Sequence, residues 1–100
     1  MKIATIHVPA DGLAELCRQY SVQELSLFGS ALDERFSDDS DVDLLVEFVP
    51  GTPVGLFELG ALKHDLEQLL GREVDLVPKG GLKPAIRESV LGTARVLFAA

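Results

Sequence analysis

The period of the hydrophobic positions changes several times along the 100 residues, and each change marks an element. Lys2 to Val8 is a short apolar run that predicts an extended segment. Pro9 and Asp11 then precede Leu13, Leu16, Cys17 and Tyr20, spaced by three and four like the buried stripe of an amphipathic helix. Glu24 to Phe28 alternates as a strand does and stops at Gly29, a residue that tolerates unusual backbone angles. From Ser30 to Asp41 only Ala31, Leu32 and Phe36 offer apolar anchors, which predicts one helical turn and then a loop. Val42 to Phe48 holds Leu44, Leu45 and Val46 in succession, the signature of a strand buried on both faces, and Pro50, Gly51 and Pro53 end it. Leu56, Leu59, Leu62, Leu66, Leu69 and Leu70 predict a long amphipathic helix covering one face of a sheet, closed by Gly71 as C-cap. Glu73 to Val77 is a third strand stopped by Pro78. Pro84 suits the first turn of a helix carrying Ile86, Val90 and Leu91 up to Gly92. Ala94 to Phe98 is either a last edge strand or a partner-binding tail. The pattern as a whole predicts an α/β fold, a small sheet of three to four strands with about three helices packed on it. No repeat, low-complexity run or linker divides residues 1–100, so one domain is expected.

Composition narrows the classes. With 47% hydrophobic residues the chain is too apolar for intrinsic disorder. No stretch approaches the roughly 20 apolar residues of a membrane helix, and no signal peptide opens the chain, so no membrane association and a cytoplasmic location are expected. Nine basic residues against sixteen acidic ones leave a net charge of −7, which opposes nucleic-acid binding. Lys63, Arg72, Lys79, Lys83 and Arg87 form no dense stripe. A basic protein partner fits better, as does a small anion carried in with a metal. Cys17 is a lone cysteine at helical spacing and reads as core packing.

The chemistry concentrates in Leu27 to Phe48, LFGSALDERFSDDSDVDLLVEF. Asp41 and Asp43 flank Val42 at the entry of the apolar strand, so strand alternation sets both carboxylates on one face. They repel unless a cation lies between them, and magnesium takes one or two carboxylates plus substrate phosphates; the other reading is a solvated strand edge. Gly29 and Ser30 follow a strand and precede a helical turn, where backbone amides can hold an anion and the Ser hydroxyl can donate to phosphate; Ser30 also reads as an N-cap. No GxxxxGK[ST] is present, so phosphate charge must be met mainly by metal. Asp75 interrupts the apolar third strand. If that strand neighbours the one bearing Asp41 and Asp43, the three carboxylates converge to bind metal and accept a proton; otherwise Asp75 shares a wet face with Glu73.

A strand, Gly29-Ser30, then Ser40-Asp41-Val42-Asp43-Leu44-Leu45-Val46 and the later Asp75 together resemble the nucleotidyltransferase superfamily related to the DNA polymerase beta palm. The likeness is to its minimal branch, the MNT domains of prokaryotes, and spans Leu27 to Val96. The resemblance implies a polymerase beta palm-like fold over a single minimal domain, with Gly29 and Ser30 toward the triphosphate; Arg35, the first Arg after them, is a further candidate to reach a phosphate. It further implies Asp41, Asp43 and Asp75 on Mg2+, Asp75 also serving as base, and transfer of AMP from ATP to a hydroxyl with loss of pyrophosphate. Minimal members pair with HEPN-domain ribonuclease toxins as antitoxins, so the implied acceptor is a tyrosine of such a partner. The chain departs from many relatives in having Ala31, Leu32, Asp33 and Glu34 after Gly-Ser, where they carry Arg and Gly. Asp33, Glu34, Asp38 and Asp39 add negative charge near the triphosphate.

Other readings stand beside this one: an antitoxin that neutralises by contact, or a homodimer acting on a small hydroxylated molecule, its interface built from Phe57 or from Val96 to Phe98. An acidic metal-binding domain without nucleotide chemistry leaves Gly29 and Ser30 unexplained. His7 and His64 lack partners at ligand spacing. Lys79 and Lys83, flanking Gly80 and Gly81, are either solvated loop charges or a basic loop touching phosphate.

Overall fold

The computed structural model of the protein describes residues 2–3, 6–29 and 41–100. Strands β1 (Lys2–Ile3) and β2 (Ile6–His7) pair antiparallel, so the expected extended run doubles back on itself. There follow α1 (Ala10–Gln19), β3 (Val22–Phe28), β4 (Val42–Phe48), α2 (Leu56–Leu70), β5 (Val74–Pro78), a 3-10 turn (Lys79–Gly81), α3 (Pro84–Thr93) and β6 (Arg95–Ala99). The predicted turn after Gly29 lies outside the described residues.

Strands β3 to β6 make one mixed sheet in the order β5-β4-β3-β6. β3 runs antiparallel to both β4 and β6, while β4 and β5 are parallel and joined through α2. Alternation decides what each face carries. Leu25, Leu27, Val42, Leu44, Val46, Val74 and Leu76 form one core cluster with Leu13 and Cys17 of α1 and Leu62 and Leu66 of α2. On the opposite face stand Glu24, Ser26, Phe28, Asp43, Leu45, Glu47 and Asp75, matched across the strands by register. Leu44, Leu45 and Val46 are all buried, as expected of a central strand. The fourth strand settles the open choice for the last segment, which is an edge strand rather than a tail.

Helix ends bind neighbouring elements together. The Tyr20 hydroxyl donates to Asp65 of α2, and this hydrogen bond raises the tyrosine pKa above its ordinary value. Gly71 closes α2 in the left-handed conformation with φ 68°, its N–H donating to Glu67 O at 2.8 Å. The Glu67 carboxylate in turn accepts from the N–H of Val74 at 3.0 Å, tying the end of α2 to the start of β5.

Two expectations need correction. Leu56, counted in the buried leucine stripe, is 89% exposed. At 3.6 residues per turn it lies about 120° around the helix from Leu62, outside the apolar stripe. Helix α3 has the boundaries its pattern predicts but buries no residue; Ile86 and Leu91 remain exposed. Its three apolar positions are too few for a packed face, and it is held from its ends, by buried Leu82 before it and β6 after it. A hydrogen bond from Arg87 Nη1 to Lys79 O, 3.3 Å, adds to this.

Two outcomes test this core. Leu66→Ala, at a fully buried site between α2 and the sheet, should cost about 2–5 kcal/mol in guanidinium unfolding. Burial pushes the Cys17 thiol from 9.0 up to about 11, against a small opposing pull from Arg18. The folded state therefore holds the thiol proton more tightly than the unfolded chain. That contribution to stability is full below pH 9 and is lost as pH rises toward 11. At pH 8 the native chain should not react with a disulfide reagent, whereas the unfolded chain should react at once.

Candidate active site

The row of residues Phe28, Asp43 and Asp75 crosses three strands of the face that α1 and α2 leave uncovered. Phe28 is the register partner of Asp43 across the antiparallel β3–β4 pair, and Asp43 that of Asp75 across the parallel β4–β5 pair. Hydrogen-bonded strands lie about 4.8 Å apart, so the two aspartates are immediate neighbours. Asp41 stands two residues before Asp43, on the same side by alternation, while Val42 between them is buried. Asp43 is half-buried; Asp41 and Asp75 are exposed.

Gly29 explains why the chain turns where it does. Its φ is +76°, a conformation that L side chains rarely adopt, and a Cβ there would lie 2.2 Å from Oδ2 of Asp43. The Asp43 carboxylate thus fills the space any side chain at position 29 would need, and only glycine lets β3 end against it. The Asp43 carboxylate and the backbone at Gly29 are thereby brought to one point. Ser30 and Arg35, the other residues expected to meet phosphate, lie outside the described residues.

The structure joins Asp43 to Asp75 and sets Asp41 immediately before β4. Among the described residues, no group of three or more acidic, histidine or cysteine side chains stands ready to hold a metal ion. A pair of adjacent carboxylates nevertheless fits a hard cation, because such ions commonly take one or two carboxylates and complete their shell with substrate phosphates and water rather than a protein cage.

At the other end of the same face, Glu24 and Glu47 are register partners, a like-charge pair that destabilises a sheet. The Lys79 ammonium lies 3.9 Å from Glu24 Oε1 and 3.8 Å from Glu47 Oε2. Lys79 is therefore a paired charge rather than a free loop charge. Sequence reasoning missed this contact because it joins three elements. It also left Phe28 unremarked in the aspartate row, although the polar-face parity of β3 and its place before Gly29 were visible. His7 and His64 are exposed and outside the site. No helix among the described residues is long and apolar enough to cross a membrane.

The profile of the Nucleotidyltransferase domain family matches residues 11–97. The chain is 42% identical over 79 residues to the protein adenylyltransferase MntA of Thermococcus cleftensis, covering 77% of this chain and 76% of the relative. A solved toxin–antitoxin structure with AMP-PNP superposes with TM-score 0.73 at 21% identity, over 93% of this chain and 75% of the other. The complex of tri-AMPylated Shewanella oneidensis HEPN toxin with MNT antitoxin matches with TM-score 0.64 at 22% identity, over 91% and 70%. At those identities the two structures speak for the fold. Profile, relative and mixed four-stranded sheet agree, and the chain belongs to the nucleotidyltransferase family, in its branch of MntA-like protein adenylyltransferases.

Proposed function

We propose that this chain, as one minimal domain over residues 1–100, transfers AMP from ATP to a tyrosine hydroxyl of a HEPN-domain ribonuclease toxin and so acts as its antitoxin. The observation that carries the reading is the Asp43 carboxylate seated over Gly29 and in register with Asp75. The MntA name of the Thermococcus relative supports a protein acceptor, and the AMPylated HEPN toxin bound to an MNT antitoxin supports the partner class.

Gly29, with Ser30 and Arg35, would hold the triphosphate, its bare backbone allowing close approach. Asp41, Asp43 and Asp75 would hold Mg2+, which when bound supplies charge neutralisation on the phosphates. The acceptor hydroxyl attacks the α-phosphorus and its proton passes to the Asp75 carboxylate. The bond from the α-phosphorus to the bridging oxygen breaks, and pyrophosphate leaves with that electron pair. Phosphoryl chemistry asks mainly for positioning and charge compensation, so a rigid sheet is a suitable platform. The availability of ATP sets the reaction in the cytoplasm.

The test is incubation of the purified chain with ATP labelled at the α-phosphate, magnesium and the HEPN-domain protein encoded in the same genome. Label on a tyrosine of that protein is expected. Binding without label would replace transfer by contact inhibition. Label only on a small hydroxylated compound would replace the protein acceptor. Asp43→Asn should lower transfer by about 10²–10³-fold or more while the thermal unfolding profile is kept. Gly29→Ala should lower it by about 10²-fold, since the new Cβ must push the Asp43 carboxylate aside.

A further inference from the structure

We propose that the outward face of the first turns of α2, with Leu56 and Phe57 as knobs and Gly60 as the notch between them, seats the protein acceptor through an apolar helix on a basic surface. This rests on the reading that the acceptor is a protein. Leu56 and Phe57 are 89% and 88% exposed, more than any other large apolar residue described. Leu56 also lines a groove of about 400 Å3 walled by Phe48, Val54, Leu59 and Pro78, and Phe57 follows it on the helix.

Glycine disfavours a helix interior, yet among the described residues a Cβ at Gly60 would meet nothing within 4 Å. Contacts among the described residues therefore give no reason for glycine there, while close approach of a partner helix does. At 100° per residue Gly60 falls between Leu56 and Phe57 on the outward side, a hollow flanked by two apolar side chains.

Charge selects the occupant. From Val49 to Leu62 the only charged residue is Glu58, and the whole chain carries −7. A second copy would bring an equal negative charge and be repelled, whereas a basic protein is drawn in. Position completes the case. Pro78, a wall of the groove, lies three residues beyond Asp75 on edge strand β5, about 10 Å along the strand and by alternation toward the helix-covered face. Because β5 is an edge strand, a protein resting on the groove can reach around that edge to present a side chain at Asp75; a small molecule cannot span both.

The experiment varies the concentration of the HEPN-domain protein in the labelled-ATP assay, with the native chain, Phe57→Ser and Gly60→Gln. Both variants change exposed positions, and matching thermal unfolding verifies the fold. The expected result is a KM for the acceptor raised about tenfold or more, with the rate at saturating acceptor and the affinity for ATP kept. An unchanged KM in both variants overturns the docking face and leaves the proposed transfer standing. Absence of transfer by the native chain overturns the transfer and the docking face with it. A native dimer in sedimentation that Phe57→Ser dissociates assigns the face to a second copy and overturns the acceptor as its occupant.

Discussion

Everything in this fold depends on strand register. The side-chain period of a strand is two, so a slip of one residue between β3 and β4 or between β4 and β5 would turn Val42, Leu44 and Val46 toward water and bury Asp43 against α1 and α2. Burying an unpaired carboxylate costs far more than a buried leucine returns. The core and the aspartate row are thus held by one constraint. Packing of Leu13, Cys17, Leu62 and Leu66 against one face fixes which residues the other face offers.

That second face divides its charge into two zones. Toward one end, Lys79 sits between Glu24 and Glu47 and relieves their repulsion. Toward the other end, Asp43 and Asp75 stand in register with Asp41 just before β4, the carboxylates proposed above to meet the metal and the triphosphate. Both zones are solvent-facing, where such pairs are individually weak. Their arrangement along the strands, rather than the strength of any pair, distinguishes the structural end from the end proposed for chemistry.

Much of this was legible in the sequence. The leucine spacing and Gly71 gave α2, and the unbroken apolar run gave β4 with its boundaries. Asp41 and Asp43 announced themselves by interrupting strand entry at a spacing of two. Local patterns, however, tell which face a residue takes and not which strand lies beside it. Asp75 was therefore readable as a candidate, but its pairing with Asp43 waited for the sheet order. The contact between Gly29 and Asp43 was hidden for the same reason, since the two are far apart along the chain. Leu56 misled because leucine spacing by threes drifts around a helix of 3.6 residues per turn. For Ser30 and Arg35, outside the described residues, the sequence remains the whole of the reading.

The order β5-β4-β3-β6 has a consequence for how the chain is made. β3 is synthesised early and gains β4 on one side, yet its other edge is paired by Arg95–Ala99, the last strand to be formed. At roughly 5–20 residues per second of synthesis, a ribosome leaves that edge unpaired for on the order of seconds. During this interval the backbone donors and acceptors on that side of β3 are open to any extended segment nearby. A small sheet closed by its latest strand is thus most vulnerable to wrong pairing while still emerging, before Arg95–Ala99 can occupy the place.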